Sequence, residues 1–218
     1  MSGLKKEIEL LGEELVLLPE KAIFWPHLST LFFADLHLGK VSHFRKAGIA
    51  VPLSAKKATL DRMEDLLLRY VPQSVIILGD LFHSDYNQGW LAFNDLLERY
   101  PEIEFVLVEG NHDILASELY HNSRVTLVSG YLERKPFILS HEPLEIVHDG
   151  LYNLCGHVHP SVRMVGKAHQ TLRLPCFYFG DHTGILPAFG TFTGNAVIQP
   201  LKGEHVYVIT KNKVIQVA

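Results

Sequence analysis

An α/β fold, with a second, strand-rich sheet packed on the first, is what this sequence predicts. Three observations lead there. Apolar runs of buried-strand type alternate with amphipathic segments through the first half of the chain. After Arg124 the long helical patterns stop, and short strand-like runs follow one another. No polar linker separates the halves, so the 218 residues are expected to form a single domain, 1–218.

Each element has its own reason. Glu14–Leu18 and Ala22–Trp25 read as short strands separated by Pro19. Thr30–Ala34 is an unbroken apolar strand. Ser54–Tyr70 reads as a helix: Met63, Leu66, Leu67 and Tyr70 recur at helical spacing, bracketed by Pro52 and Pro72. Val75–Leu78 is again a buried strand. Gln88–Tyr100 is a second helix, with Trp90, Phe93, Leu97 and Tyr100 on its core stripe and Pro101 as its stop. Phe105–Val108 closes this strand–helix alternation, which calls for parallel pairing. Val125–Val128, Phe137–Leu139, Tyr152–Cys155, Leu172–Phe179 and Ala196–Ile198 supply the second sheet. Val206–Ile209 and Val214–Val217 read as a hairpin over Thr210–Lys213.

Composition narrows the class. Apolar residues are 47% and charged residues 20%, ordinary for a folded soluble chain. No run of eighteen apolar residues exists, and the N-terminal segment is too acidic for a signal peptide. The net charge of −4 argues against a protein that coats nucleic acid through a basic face. It leaves room for a nuclease, because bound divalent cations bring their own positive charge. Cys155 and Cys176 are too few for a disulfide framework or a thiolate zinc site, and read as small core residues. A cytoplasmic location is the expectation. Thirteen histidines raise the prospect of metal binding or acid–base chemistry.

One pattern recurs five times: an apolar strand ends and a potential metal ligand follows. The five are Asp35-Leu36-His37, Gly79-Asp80, Gly110-Asn111-His112-Asp113, His141, and Gly156-His157-Val158-His159. Ligands of α/β sheets gather beyond the carboxyl ends of strands, so these side chains are expected to share one pocket. Asp35, Asp80 and Asn111 offer oxygen; His37, His141, His157 and His159 offer nitrogen. That mixture, without thiolate, suits manganese, iron or zinc better than magnesium or calcium, and manganese is the first expectation, with iron and zinc as alternatives. Seven donors are too many for one tetrahedral ion and enough for two, about 3.5–4 Å apart, if a carboxylate bridges them. Extended geometry would put His157 and His159, like Asp35 and His37, on one side. Gly79, Gly110 and Gly156 would allow tight turns or close backbone approach before each ligand. A lone Asp-X-His pair carries little weight; five such signals in order, each at a strand end, carry the assignment.

Together these residues resemble the motif series of calcineurin-like metallophosphoesterases. The resemblance implies a four-layer α/β/β/α sandwich with two mixed sheets. It implies that Asp35, His37 and His159 hold one metal, that Asn111, His141 and His157 hold a second, and that Asp80 bridges them. Water ionised between the cations would attack phosphorus. His112 would stabilise charge on the leaving oxygen or protonate it, and Asp113 would hydrogen-bond His112. Four further segments resemble the ligase-associated DNA damage response endonuclease (PdeM) family: PEKAIFWP at Pro19–Pro26, ADLHLGK at Ala34–Lys40, FRKAGIAVP at Phe44–Pro52 and LPAFGTFTGN at Leu186–Asn195. That family implies a phosphodiester substrate, a place in DNA repair, and genetic company with a DNA ligase and a DEXH-type helicase. The second motif, continuing to His83, is also similar to that of SbcD-type nucleases. Serine/threonine protein phosphatases usually carry an arginine after the second motif and Asn-His-Glu in the third, and this chain departs from both.

The expected activity is therefore a two-metal phosphodiesterase, a DNA endonuclease in the first place. The competing readings are a hydrolase of nucleotides or cyclic nucleotides and a non-catalytic scaffold. Lys40, Arg45 and Lys46 follow the first motif and are candidates for substrate phosphates, as is His83 three residues past Asp80. Arg163 and Lys167 are weaker candidates of the same kind.

Overall fold

Alternating Lys6, Ile8 and Leu10 with exposed Glu7 and Glu9 builds a strand that the sequence reading left out: β1, Lys6–Leu10. A computed structural model describes residues 4–40, 55–82, 88–165, 170–191 and 193–218. β1 folds back on β2 (Glu13–Leu17), which pairs with β3 (Ile23–Trp25), and β3 with β4 (Thr30–Phe33), all antiparallel. From β4 onward the pairing turns parallel, through β5 (Ser74–Leu78), β6 (Glu104–Val108) and β7 (Val125–Val128). Parallel neighbours need crossovers. Helices α1 (Ala55–Tyr70), α2 (Gln88–Arg99) and α3 (Ser117–His121) lie in them. Met63, Leu66, Leu67, Phe93 and Leu97 pack on Leu31, Phe33, Ile77 and Phe105 of the sheet. β4 is buried on both faces, which explains its unbroken apolar run.

The second sheet is also mixed. It contains β8 (Tyr131–Arg134), β9 (Phe137–Ser140), β10 (Tyr152–Cys155), β11 (Pro160–Val165), β12 (Thr171–Phe179), β13 (Thr183–Ile185) and β14 (Ala196–Val197), in spatial order β14-β11-β12-β13-β10-β9-β8. β15 (His205–Ile209) joins β12 and forms the expected terminal hairpin with β16 (Val214–Gln216). Leu17, Trp25, Phe32, Ile76 and Val106 from the first sheet interlock with Phe137, Leu139, Leu154, Phe177, Phe179 and Tyr207 from the second. The outer face of the second sheet carries a smaller cluster, Cys176, Val206 and Val208, with Val162 and Leu174 against it. Among the described residues no helix is long and apolar enough to cross a membrane.

A strap joins the layers. After β13 the chain crosses from the second sheet to the end of β4. Leu186 N–H donates to Cys155 O, Phe189 N–H to Ala34 O, and Gly190 N–H to Asp35 O. Behind it, Lys21 Nζ donates to Ala188 O at 3.1 Å and Arg62 donates to Phe189 O. The Arg62 guanidinium also lies 4.1 Å from the Phe189 ring centre.

Candidate metal centre

Five strand ends deliver the expected side chains to one place. β4 ends before Asp35 and His37, β5 before Asp80, β6 before Asn111, β9 before His141, and β10 before His157 and His159. Asp35, His37 and His159 offer donor atoms within 4.8 Å of one another, and so do Asp35, Asp80 and His141.

The backbone reaches this arrangement by a route the alternation argument missed. Asp35, His37, Asp80, His157 and His159 all have positive φ, at 53°, 47°, 51°, 64° and 51°. His157 and His159 therefore do not lie in extended geometry, and neither do Asp35 and His37. Each of these five ligand positions is turned out individually by its own left-handed residue. Among the described residues nine non-glycine positions have positive φ, and five are these. Strain concentrated in this way marks a site that the surrounding fold holds by force. Gly79, at φ 74°, passes so close to His141 that a Cβ would lie 2.2 Å from its Nδ1. A Cβ on Gly110 would lie 2.3 Å from the Asp80 amide nitrogen. Both positions demand glycine through close approach.

Hydrogen bonds fix which ring nitrogens face inward. His141 Nδ1 is 3.1 Å from Leu78 O, and His159 Nδ1 is 3.0 Å from Gly194 O. A carbonyl only accepts, so both Nδ1 atoms carry the proton and both Nε2 atoms present lone pairs. His159 Nε2 then lies 3.4 Å from Asp35 Oδ1 and 3.4 Å from His37 Nε2. His141 Nε2 lies 2.9 Å from Asn111 Oδ1, 3.1 Å from His157 Nδ1 and 3.5 Å from Asp80 Oδ1. The other Asp80 oxygen, Oδ2, is 3.7 Å from His37 Nε2. Asp35 approaches His141 at Nδ1, 3.9 Å away, but that atom is committed to Leu78. Asp80 is thus the carboxylate with one oxygen for each cluster of nitrogens. Lone pairs and carboxylates packed this densely fit divalent cations of the nitrogen-and-oxygen class.

The neighbours divide into those near the centre and those behind it. His112 donates its main-chain N–H to Asp80 Oδ1 at 3.0 Å, and its ring stands edge-on to His37, with centroids 5.8 Å apart. Asp113 differs from expectation. Its Oδ1 accepts from Leu81 N–H (2.9 Å) and Phe82 N–H (3.2 Å), and its Oδ2 from Gly110 N–H (3.0 Å). Its carboxylate is spent tying the second motif to the third, instead of on the His112 ring. Burial pushes the Asp113 carboxyl up to about 7, against those N–H groups, which pull it down. Lys40 is half-buried; desolvation lowers its ammonium, opposed by the Asp80 and Asp35 carboxylates. Arg45, Lys46, His83 and Lys167 lie outside the described residues. Cys155 and Cys176 are fully buried, as expected of core residues.

Sequence reasoning missed Lys21, Arg62 and the Gly194 carbonyl, which brace the centre from behind. Lys21 and Gly194 do fall within the segments quoted above for their resemblance, and that is the signal that points to them.

A family model described as calcineurin-like phosphoesterase matches residues 28–185. The crystal structure of the Pseudomonas putida nuclease MPE is similar to 98% of this chain and 100% of its own, at 33% sequence identity and a TM-score of 0.80. The E. coli phosphoesterase Yfce is 16% identical over 87% of this chain and 98% of its own, with a TM-score of 0.46. With the model covering most of the sequence and the nuclease matched over nearly all of it, the chain belongs to the calcineurin-like phosphoesterase family.

Proposed function

We propose that this phosphoesterase is a two-metal phosphodiesterase acting on nucleic acid, DNA foremost, with a place in DNA repair. The observation that carries the reading is the division of Asp80, whose two oxygens face the nitrogens of His37 and His141 separately. In this reading Asp35, His37 and His159 hold one cation, Asn111, His141 and His157 hold the other, and Asp80 bridges. Bound divalent cations of the manganese, iron or zinc class supply Lewis acidity at phosphorus and a lowered pKa for water.

The protein's own groups do the rest. Leu78 O and Gly194 O hold His141 and His159 in the tautomer that presents Nε2. The main-chain N–H of His112 steadies Asp80 Oδ1, so the third motif is built onto the bridging carboxylate. From there the His112 imidazole donates a proton to the leaving oxygen or stabilises its charge. Asp113 keeps the His112 loop in register by gripping Leu81, Phe82 and Gly110. Lys40, and Arg45 and His83 by their place in sequence, bind substrate phosphates. The likeness to a nuclease along the whole chain favours a polynucleotide over a small ester.

One experiment tests this. The purified protein is assayed for bound metal, then in manganese against a monoester, a small diester, and single- and double-stranded DNA. The expected result is two metals per chain, diester and DNA cleavage, and loss of both with EDTA. Turnover of the monoester alone would replace this reading with a small-phosphoester hydrolase. No turnover of any substrate would favour the scaffold.

A further inference from the structure

β12 is the longest strand, and its two halves lie in different places. Its second half pairs with β13, Tyr178 opposite Ile185 and Phe179 opposite Gly184. β13 runs parallel to β10, with Ile185 beside Cys155, the last strand residue before Gly156–His159. β12 is antiparallel to β13, so its first half, Thr171–Pro175, runs on past the edge where the candidate ligands gather. There its partner is β11, which leaves the centre directly after His159. β14 accompanies β11 only at Pro160 and Ser161. Arg173 lies five residues beyond Tyr178, about 17 Å along the strand.

Strand alternation says which way this overhang faces. Phe177 and Phe179 belong to the core between the sheets, whereas Cys176 and Leu174 belong to the outer cluster. Arg173 therefore shares the inward face, the one turned toward the first sheet. Arg163 sits directly opposite Arg173 and shares that face. Both are exposed, and among the described residues neither guanidinium has an ion pair or hydrogen bond. Like charges directly opposite on paired strands cost stability. An uncompensated arginine pair, inward-facing and beyond a phosphoesterase centre, is suited to a polyanion that enters that centre.

We propose that the β11–β12 ribbon is a clamp for the nucleic-acid backbone. Arg163 and Arg173 hold phosphates a few nucleotides from the one that reacts. The clamp rests on the nucleic-acid reading above and names the surface that would carry it. A small phosphoester seated at the metals does not span the distance to both arginines; a polynucleotide does.

The test compares wild type with the double variant Arg163→Thr, Arg173→Thr, and with Arg163→Lys, Arg173→Lys. kcat/KM is measured in manganese on single-stranded DNA and on bis(p-nitrophenyl) phosphate. Binding of a fluorescein-labelled oligonucleotide is followed by anisotropy from 50 to 200 mM salt. The threonine variant should lose at least tenfold more on DNA than on the small diester. Its slope of log Kd against log salt should flatten by about 1.4, as for two lost single-strand phosphate contacts. The lysine variant should recover most of that slope. If wild type cleaves DNA and the threonine variant loses equally on both substrates, or keeps its salt slope, the clamp is wrong and the nucleic-acid reading stands. If wild type turns over the small diester but neither cleaves nor binds DNA, the nucleic-acid reading falls and takes the clamp with it.

Discussion

The Nε2 atoms of His37 and His159 face each other across 3.4 Å. His159 donates its Nδ1 proton to the Gly194 carbonyl, so the nitrogen that meets His37 is a bare lone pair. His141 is in the same position, its Nδ1 committed to Leu78 O and its Nε2 aimed at Asn111 Oδ1 and Asp80 Oδ1. At His141 this sets acceptor against acceptor, which is unfavourable until a proton or a cation comes between them.

Metal should therefore stabilise the fold. Manganese at a hundred times its Kd is expected to add about 2.7 kcal/mol per site. Thermal unfolding in manganese, set against EDTA, measures it. Identical melting temperatures would show that these clusters do not bind the ion.

Asp80→Asn keeps the shape and removes the charge that the two nitrogen clusters share. Metal content should fall to one ion or fewer per chain, and turnover should collapse. Atomic absorption decides it: two ions retained in the variant would end the bridging role.

His112→Ala should leave metal content intact and lower kcat by about 10²–10⁴, the usual contribution of a positioned acid or base. Near-normal kcat would take His112 out of the chemistry.

Gly79→Ala should be destabilising in EDTA by more than about 1 kcal/mol, because alanine is strained at φ 74° and its methyl would meet His141. Urea denaturation reads the cost, and a manganese titration should show weaker binding as His141 is displaced. Wild-type stability and affinity together would contradict the close approach.

Lys21 gives a pH dependence. Burial, with Arg62 nearby, lowers its ammonium to about 8 from an ordinary 10.5. Below pH 8 the folded protein carries the cost of a buried charge. Between about 8 and 10.5 the unfolded chain still holds that proton and the folded one has released it, so stability rises with pH. Relative to Lys21→Met, wild type should gain stability across that window in urea melts. A constant difference would contradict the buried ammonium.

The sequence reveals the five ligand-bearing strand ends because each writes its signal locally, an apolar run followed at once by a polar group. Helices α1 and α2 are legible through Met63, Leu67, Phe93 and Leu97 at helical spacing, with prolines at their ends. What escapes is what depends on distant partners. Asp113 sits beside His112 in sequence, yet its Oδ1 is claimed by the main-chain N–H groups of Leu81 and Phe82, 32 and 31 residues earlier, and its Oδ2 by that of Gly110. The left-handed turns at Asp35 and His157 contradict the ordinary preference of those residues, and only the packed fold imposes them. β11 is hidden because Pro160 and Arg163 interrupt its apolar character, and β1 because its charged face dominates the reading.

The strap from Leu186 to Gly190 carries a lesson about timing. All seven candidate donors have been made once the ribosome passes His159, but their clasp has not. The carbonyls of Ala34 and Asp35 wait for Phe189 and Gly190, and His159 waits for Gly194. A nascent or prematurely ended chain thus holds every ligand and no finished centre.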